Sequence, residues 1–175
     1  MIDEQRGQTT LDFAIGASVF LLAVAFVVAF IPSMFEPFRG GDGALFIVAD
    51  RTAGYLVEDA LVYAVSEPAV LDAGCTIAFF SQSSGDDCRF EMDGEIGAVV
   101  GVHGSQPVDR SVNITVHELS AGPATPIETE DGEPLTGGDP DPPSDAVVSS
   151  RVVTIGDTSR IASESAEFRL TVRVW

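Results

Sequence analysis

Cys75 and Cys88 are the only two cysteines of the chain, and they flank a turn rich in serine, glycine and aspartate. Thiols so placed can close a disulfide around a hairpin or loop, worth about 3 kcal/mol in the chain-entropy account. The alternative is a pair of buried free thiols. A metal centre is not expected, because His103 and His117 stand at no recognised ligand spacing. Asp139, Asp141 and Asp145 offer oxygen ligands for calcium, but they lack the EF-hand order and prolines occupy ligand positions. Glu91, Asp93 and Glu95 alternate around Gly94, as in a solvated turn. No nucleophile elbow, phosphate loop, HExxH or dinucleotide fingerprint occurs. With two histidines and no lysine, only carboxylates remain as general bases. No catalytic residue, metal or cofactor is therefore expected. Asn113-Ile114-Thr115 is the one glycosylation sequon, and Asn113 the one asparagine, though a strand-like setting argues against easy access.

These residues depend on elements of contrasting character. Phe13 to Ile31 carries no charge and is interrupted only by Gly16 and Ser18, both common in membrane helices. At 1.5 Å per residue the run spans about 28 Å, close to a bilayer's hydrocarbon thickness. Pro32, Pro37 and Gly40-Gly41 follow it. A conventional secretory signal has a shorter apolar core with a small-residue cleavage site, which Ala23-Val24-Ala25 mimics. The length of this run favours a membrane-spanning helix instead.

The lead into that helix is unusual: MIDEQRG, then QTTLDFAIG. Polar residues, Arg6, Gly7 and a threonine-rich step precede the apolar run. Thr9 and Asp12 have the spacing of a capping box, and an acid in a first helical turn suits the dipole. That account leaves Gly7 and Arg6 unexplained. The order resembles the class III signal of type IV prepilins. More narrowly, RGQTTLDFAIGASVFLLAVAFVVAF resembles small pilin-like proteins of haloarchaea, over about the first 40 residues. The resemblance implies cutting by a prepilin peptidase between Gly7 and Gln8. Glycine there leaves the scissile backbone unobstructed. It also makes Asp12 the fifth mature residue, where pilins commonly carry an acid, usually Glu, used in assembly.

Composition fits such a surface protein. The net charge of −18 comes from 27 acids against nine bases, all arginine. Such an excess costs stability through self-repulsion and becomes tolerable in concentrated salt, where the screening length is about 3 Å at 1 M. It also disfavours nucleic acid as a partner, since no basic stripe exists to release counterions.

Behind the anchor, Ala44 to Val65 reads as an amphipathic helix with Leu45, Val48, Leu56, Val57 and Leu61 on its apolar stripe, weakened at Gly54 and closed by Pro68. Candidate strands then cover Thr76–Phe80, Cys88–Met92, Ile96–Val102, Ser111–Leu119, Val147–Ile155 and Phe168–Trp175. In the last, Phe168, Leu170, Val172 and Val174 predict a packed face. Arg169, Thr171, Arg173 and Trp175 predict a wet one whose arginines guard a sheet edge. Gly122–Asp145, with six prolines, seven acids and no base, reads as a solvated loop.

The expected fold is α+β: an N-terminal apolar transmembrane or filament-core helix, a second amphipathic helix and a mainly antiparallel β domain. The expected divisions are a leader 1–7, an anchor 8–35, a linker with the amphipathic helix 36–67, and a β-rich domain 68–175. Arg6 and Arg39 balance across the anchor, so orientation rests on the disulfide and sequon, which place the domain outside the cell. The expected role is a structural or accessory subunit of an archaeal type IV pilus-like filament. Its partners would be prepilin peptidase, other pilin subunits through the apolar helix, and membrane lipid before assembly. The alternative is a single-pass anchored extracellular binding module that never polymerises.

Overall fold

The computed structural model describes residues 5–34, 42–85, 87–102 and 110–175. Residues 1–4 of the expected leader, Pro37, Gly40-Gly41 and His103 lie outside the described residues. The chain falls into two units, Met1–Gly43 and Ala44–Trp175.

The first unit contains α1, Gln5–Met34. It extends beyond the expected anchor at its start, so the Gly7–Gln8 bond lies in its first turn. Pro32 falls in the last turn; it lacks the N–H that would bond the Val28 carbonyl, and the helix ends two residues later. The capping expectation for Thr9 and Asp12 is corrected: both lie inside α1, past its first turn. Within the apolar stretch, the Ser18 hydroxyl donates to Ala14 O at 2.7 Å. That bond satisfies a group that hydrocarbon could not.

Helix α2, Asp42–Tyr55, lies in the second unit from Ala44 onward and is continued by a π-helical turn, Leu56–Ala60. Ala49, Ala53, Leu56, Val57, Ala60 and Leu61 are buried, so the expected stripe packs. The helix nevertheless stops short of Val65. Past Ala60 the backbone bonds sideways: Tyr63 N to Val70 O, Asp72 N to Leu61 O and Ala69 N to Val57 O, at 2.8–2.9 Å.

Five strands form one sheet: β1 Val70–Leu71, β2 Val112–Glu118, β3 Thr136–Gly138, β4 Val147–Ile155 and β5 Glu167–Val174. Their order is β1-β4-β5-β2-β3. Only β1·β4 is parallel; β4·β5, β2·β5 and β2·β3 are antiparallel. The α+β architecture is as the sequence predicts.

Several expected strands are not strands. Thr76–Phe80 belongs to α3, Ala73–Phe80, whose N-cap Asp72 accepts from Cys75 N at 2.8 Å. A short apolar run cannot by period alone distinguish strand from buried helix, and here the cap decides. Ile96–Val102 holds only α4, Ile96–Val99, and Cys88–Met92 is irregular. The acidic 122–145 stretch is not wholly solvated. It contributes β3 and buries Ile127, Thr129 and Leu135.

The arginines of the last strand guard no edge, because β5 is the central strand. Phe168, Leu170, Val172 and Val174 are fully buried, and burying each such side chain is worth about 1.5–3 kcal/mol. They meet Ile114, Val116, Leu56 and Phe79 in one core. Phe79 sits edge-on to both Phe80 and Phe90, with centroids 5.3 and 5.5 Å apart. Opposite this face, Thr171 is buried too, so the expected wet face is only partly wet.

Candidate functional site

Leu11–Ile31 forms 21 residues of helix with mean hydropathy 2.8, and no part of it is buried. At about 1.5 Å per residue it reaches about 32 Å, enough to cross a bilayer. Phe13, Phe20, Phe26 and Phe30 are all exposed, and Phe26 and Phe30 touch one turn apart with centroids at 5.4 Å. Such a surface of leucine, valine and phenylalanine is stable only against lipid or other apolar helices. Asp12 is exposed between Leu11 and Phe13. Gly7 and Gln8 lie one helical turn upstream of it.

Cys75 and Cys88 are joined, with Cα atoms 5.5 Å apart. The bridge ties α3 to the loop behind it rather than closing a hairpin. That loop folds back tightly, for a Cβ on Gly85 would strike Cys88 Sγ. Such cross-links are commonest in oxidising compartments.

Asn113, the sequon residue, is 3 % exposed. Its Nδ2 donates to Asp139 O at 3.0 Å, while Oδ1 accepts from Thr115 Oγ1 and from Arg173 Nη2 at 3.1 and 2.6 Å. The nitrogen that a glycan would modify is thus engaged in the folded sheet. Burial lowers the pKa of Arg173, whose Nη2 also donates to Pro123 O at 3.4 Å.

His117 is equally structural. Its Nδ1 lies 2.9 Å from Glu118 O; a carbonyl only accepts, so Nδ1 carries the proton. Nε2 lies 2.9 Å from Thr171 Oγ1, and Thr171 in turn contacts Ser150 Oγ at 3.0 Å. Both ring nitrogens are occupied, which leaves His117 no position for a metal or a substrate.

The acidic candidates do not converge. Asp139 Oδ1 accepts from Asp141 N at 3.2 Å in a local turn. Among the described residues no group of three His, Cys, Asp or Glu gathers to hold a metal ion. A cavity of about 320 Å³ lies between Glu95, Ser111, Gly138 and Asp139. Another, of about 370 Å³, flanks the disulfide beside Asp72 and Arg160.

Sequence reasoning missed one contact that positions the domain's helical layer. Arg151 of β4 bonds Asp50 of α2 at 2.6 Å, and Ser149 Oγ donates to the same carboxylate at 3.3 Å. The Arg151 hydrogen bond chiefly lowers the Asp50 pKa. The partners stand far apart in the chain and belong to no motif, so the sequence carried no signal for their meeting.

Comparison with known proteins adds a family. A model described as a family of unknown function, DUF7287, matches residues 4–175. The chain belongs to DUF7287. The match takes in α1 and the sheet domain together, so the apolar helix is part of what defines a DUF7287 chain. No curated protein and no solved structure matches this one.

Proposed function

We propose that this chain is the precursor of a pilin-like subunit of an extracellular type IV filament, as a structural or accessory component. In this reading α1 holds the precursor in the membrane as a single pass, with the disulfide-bonded domain outside. A prepilin peptidase then cuts between Gly7 and Gln8, and the freed helix packs with helices of other subunits.

One observation carries the reading: an unburied, membrane-length helix that starts in Arg6-Gly7-Gln8 and carries Asp12 inside it. Capping does not account for Asp12 in the uncut chain. Cutting after Gly7 would make Asp12 the fifth residue from a new amine. An ionised carboxylate in a dry helix bundle needs a partner, and an adjacent subunit's amine is one, unless Gln8 cyclises and backbone donors replace it. Because the scissile bond lies in a helical turn, the peptidase must unwind it. Glycine lowers that cost by about 0.5–1 kcal/mol relative to alanine. The disulfide supports the outward-facing domain, and the acid excess suits a salt-rich exterior.

Asp12→Asn tests the assembly role. It should leave cutting and membrane insertion unchanged while lowering recovery of the protein in sheared surface filaments. Equal recovery of mutant and wild type would remove Asp12 from assembly. Absence of the correctly cut wild type from sheared filaments would favour the anchored, non-polymerising module.

A further inference from the structure

The two edges of the sheet are finished differently. β3, at one edge, has three residues and ends in Gly137-Gly138. Gly138 has φ +88°, and any Cβ there would strike Val112 O. A short, glycine-ended strand offers little to another chain.

The opposite side is open. β4 has nine residues, but β1 covers only Thr154 and Ile155. Thr154 N donates to Ala69 O and Gly156 N to Leu71 O, at 2.9 and 2.8 Å. Backbone groups alternate along a strand, so the N–H and C=O of Val148, Ser150 and Val152 point to that same side. Among the described residues no acceptor meets those three N–H groups, and the Ser150 carbonyl accepts only from Arg151 Nη1, at 3.1 Å. Val148 and Val152 are 49 % and 56 % exposed, and Ser150 is exposed between them. From Val147 to Ile155 there is no proline, glycine, lysine or acid. Apart from Arg151, none of the usual devices blunts this edge among the described residues.

We propose that the open edge of β4 is an interface, which pairs antiparallel with the same edge of a second copy of this chain about a two-fold axis at Ser150. The segment Val148-Ser149-Ser150-Arg151-Val152 is nearly the same read from either end. In this register Val148 lies opposite the second copy's Val152, and Ser150 opposite its own equivalent. Each such pair exchanges both backbone bonds, and one register satisfies both copies. Ser149 falls opposite the second copy's Arg151. The Ser150 carbonyl has a second lone pair for the new bond.

The repulsion between two copies is weakest along this edge. Two chains of net charge −18 repel across most of their surfaces, whereas Val147–Ile155 carries only Arg151. A two-fold axis normal to the sheet keeps both α2 layers on one face. The pairing needs only two domains on the same side of a membrane. It therefore stands or fails independently of cutting at Gly7.

Cysteine cross-linking of the full chain in its native membrane tests the register. Opposed residues in such a pair have Cα atoms about 5.5 Å apart, within disulfide reach. Under mild oxidation Ser150→Cys should give a covalent homodimer. Val148→Cys alone should give at least tenfold less, since the two copies of that residue lie about 13 Å apart. Co-expressing Val148→Cys with Val152→Cys should restore the dimer. Adding Val152→Pro to Ser150→Cys removes an N–H used only between copies and should cut the dimer at least tenfold. An intact Cys75–Cys88 bridge and unchanged Trp175 fluorescence would show the domain still folded; if it unfolds, the register pattern alone decides. Equal linking by Val148→Cys and Ser150→Cys would overturn the proposal, as would no dimer. Linking mainly to a different protein, or a folded Val152→Pro variant that links as before, would overturn it too.

Discussion

The same residue types behave oppositely in the two units. In α1, Phe13, Phe20, Leu21 and Leu22 are exposed; in the domain, Phe79, Phe168, Leu56 and Leu170 are not exposed at all. Propensity does not explain the contrast, since both units are rich in apolar residues. The domain alternates or stripes them against charged positions, so folding can hide one face. Residues Phe13 to Ile31 are apolar in every direction, and no folding of the segment on itself could cover them. The domain supplies its own environment, while the helix must be given one.

The largest expected effect separates the units directly. Phe168→Ala should destabilise the domain by about 3–5 kcal/mol, whereas Phe20→Ala should leave its unfolding midpoint unchanged. Trp175 is the chain's one tryptophan and its backbone pairs with Ser111. Its fluorescence during urea unfolding of detergent-solubilised protein therefore reports the domain alone. A matching loss in Phe20→Ala would mean that α1 is part of the same cooperative unit.

Removing the disulfide should come next. Cys75→Ser with Cys88→Ser should cost about 3 kcal/mol in the same titration, and leave the helical signal of α1 in detergent intact. A midpoint equal to wild type would show that the loop after α3 is held by packing alone.

The smallest effect concerns acid. The Arg151 hydrogen bond depresses the Asp50 pKa in the folded domain. Its contribution is complete above the unfolded carboxylate range near pH 4 and is lost as pH falls through the lower folded value. Asp50→Asn should thus lower the thermal midpoint slightly at neutral pH, and flatten its decline below about pH 4. An unaltered acid limb would locate the sensitivity in other carboxylates.

Much of this was legible in the sequence where pattern follows local physics. The apolar anchor, the stripe of α2, the full length of β4 and the packed face of β5 could all be read from period and composition. The failures have physical causes. Thr76–Phe80 is equally apolar as strand or helix, and Asp72 was the cap signal that would have decided it. β1 and β3 are too short to show a period. The arginines of β5 suggested an edge because strand order is a long-range property, invisible in a run of eight residues. Asn113 suggested glycosylation by its sequon, and its burial beside Arg173 and Thr115 gives it a structural role. At the N-terminus the helix continues through Gly7, which composition alone would end there.

The proposed function depends most on what happens at that glycine. The intact mass of the protein purified from its native membrane, together with its N-terminal peptide, measures it directly. The expected result is a chain beginning at Gln8, with or without cyclised glutamine, and conversion to the uncut mass when Gly7 is replaced by a bulky residue. A native chain that keeps Met1 to Gly7, or one that begins after Ala25, would contradict it.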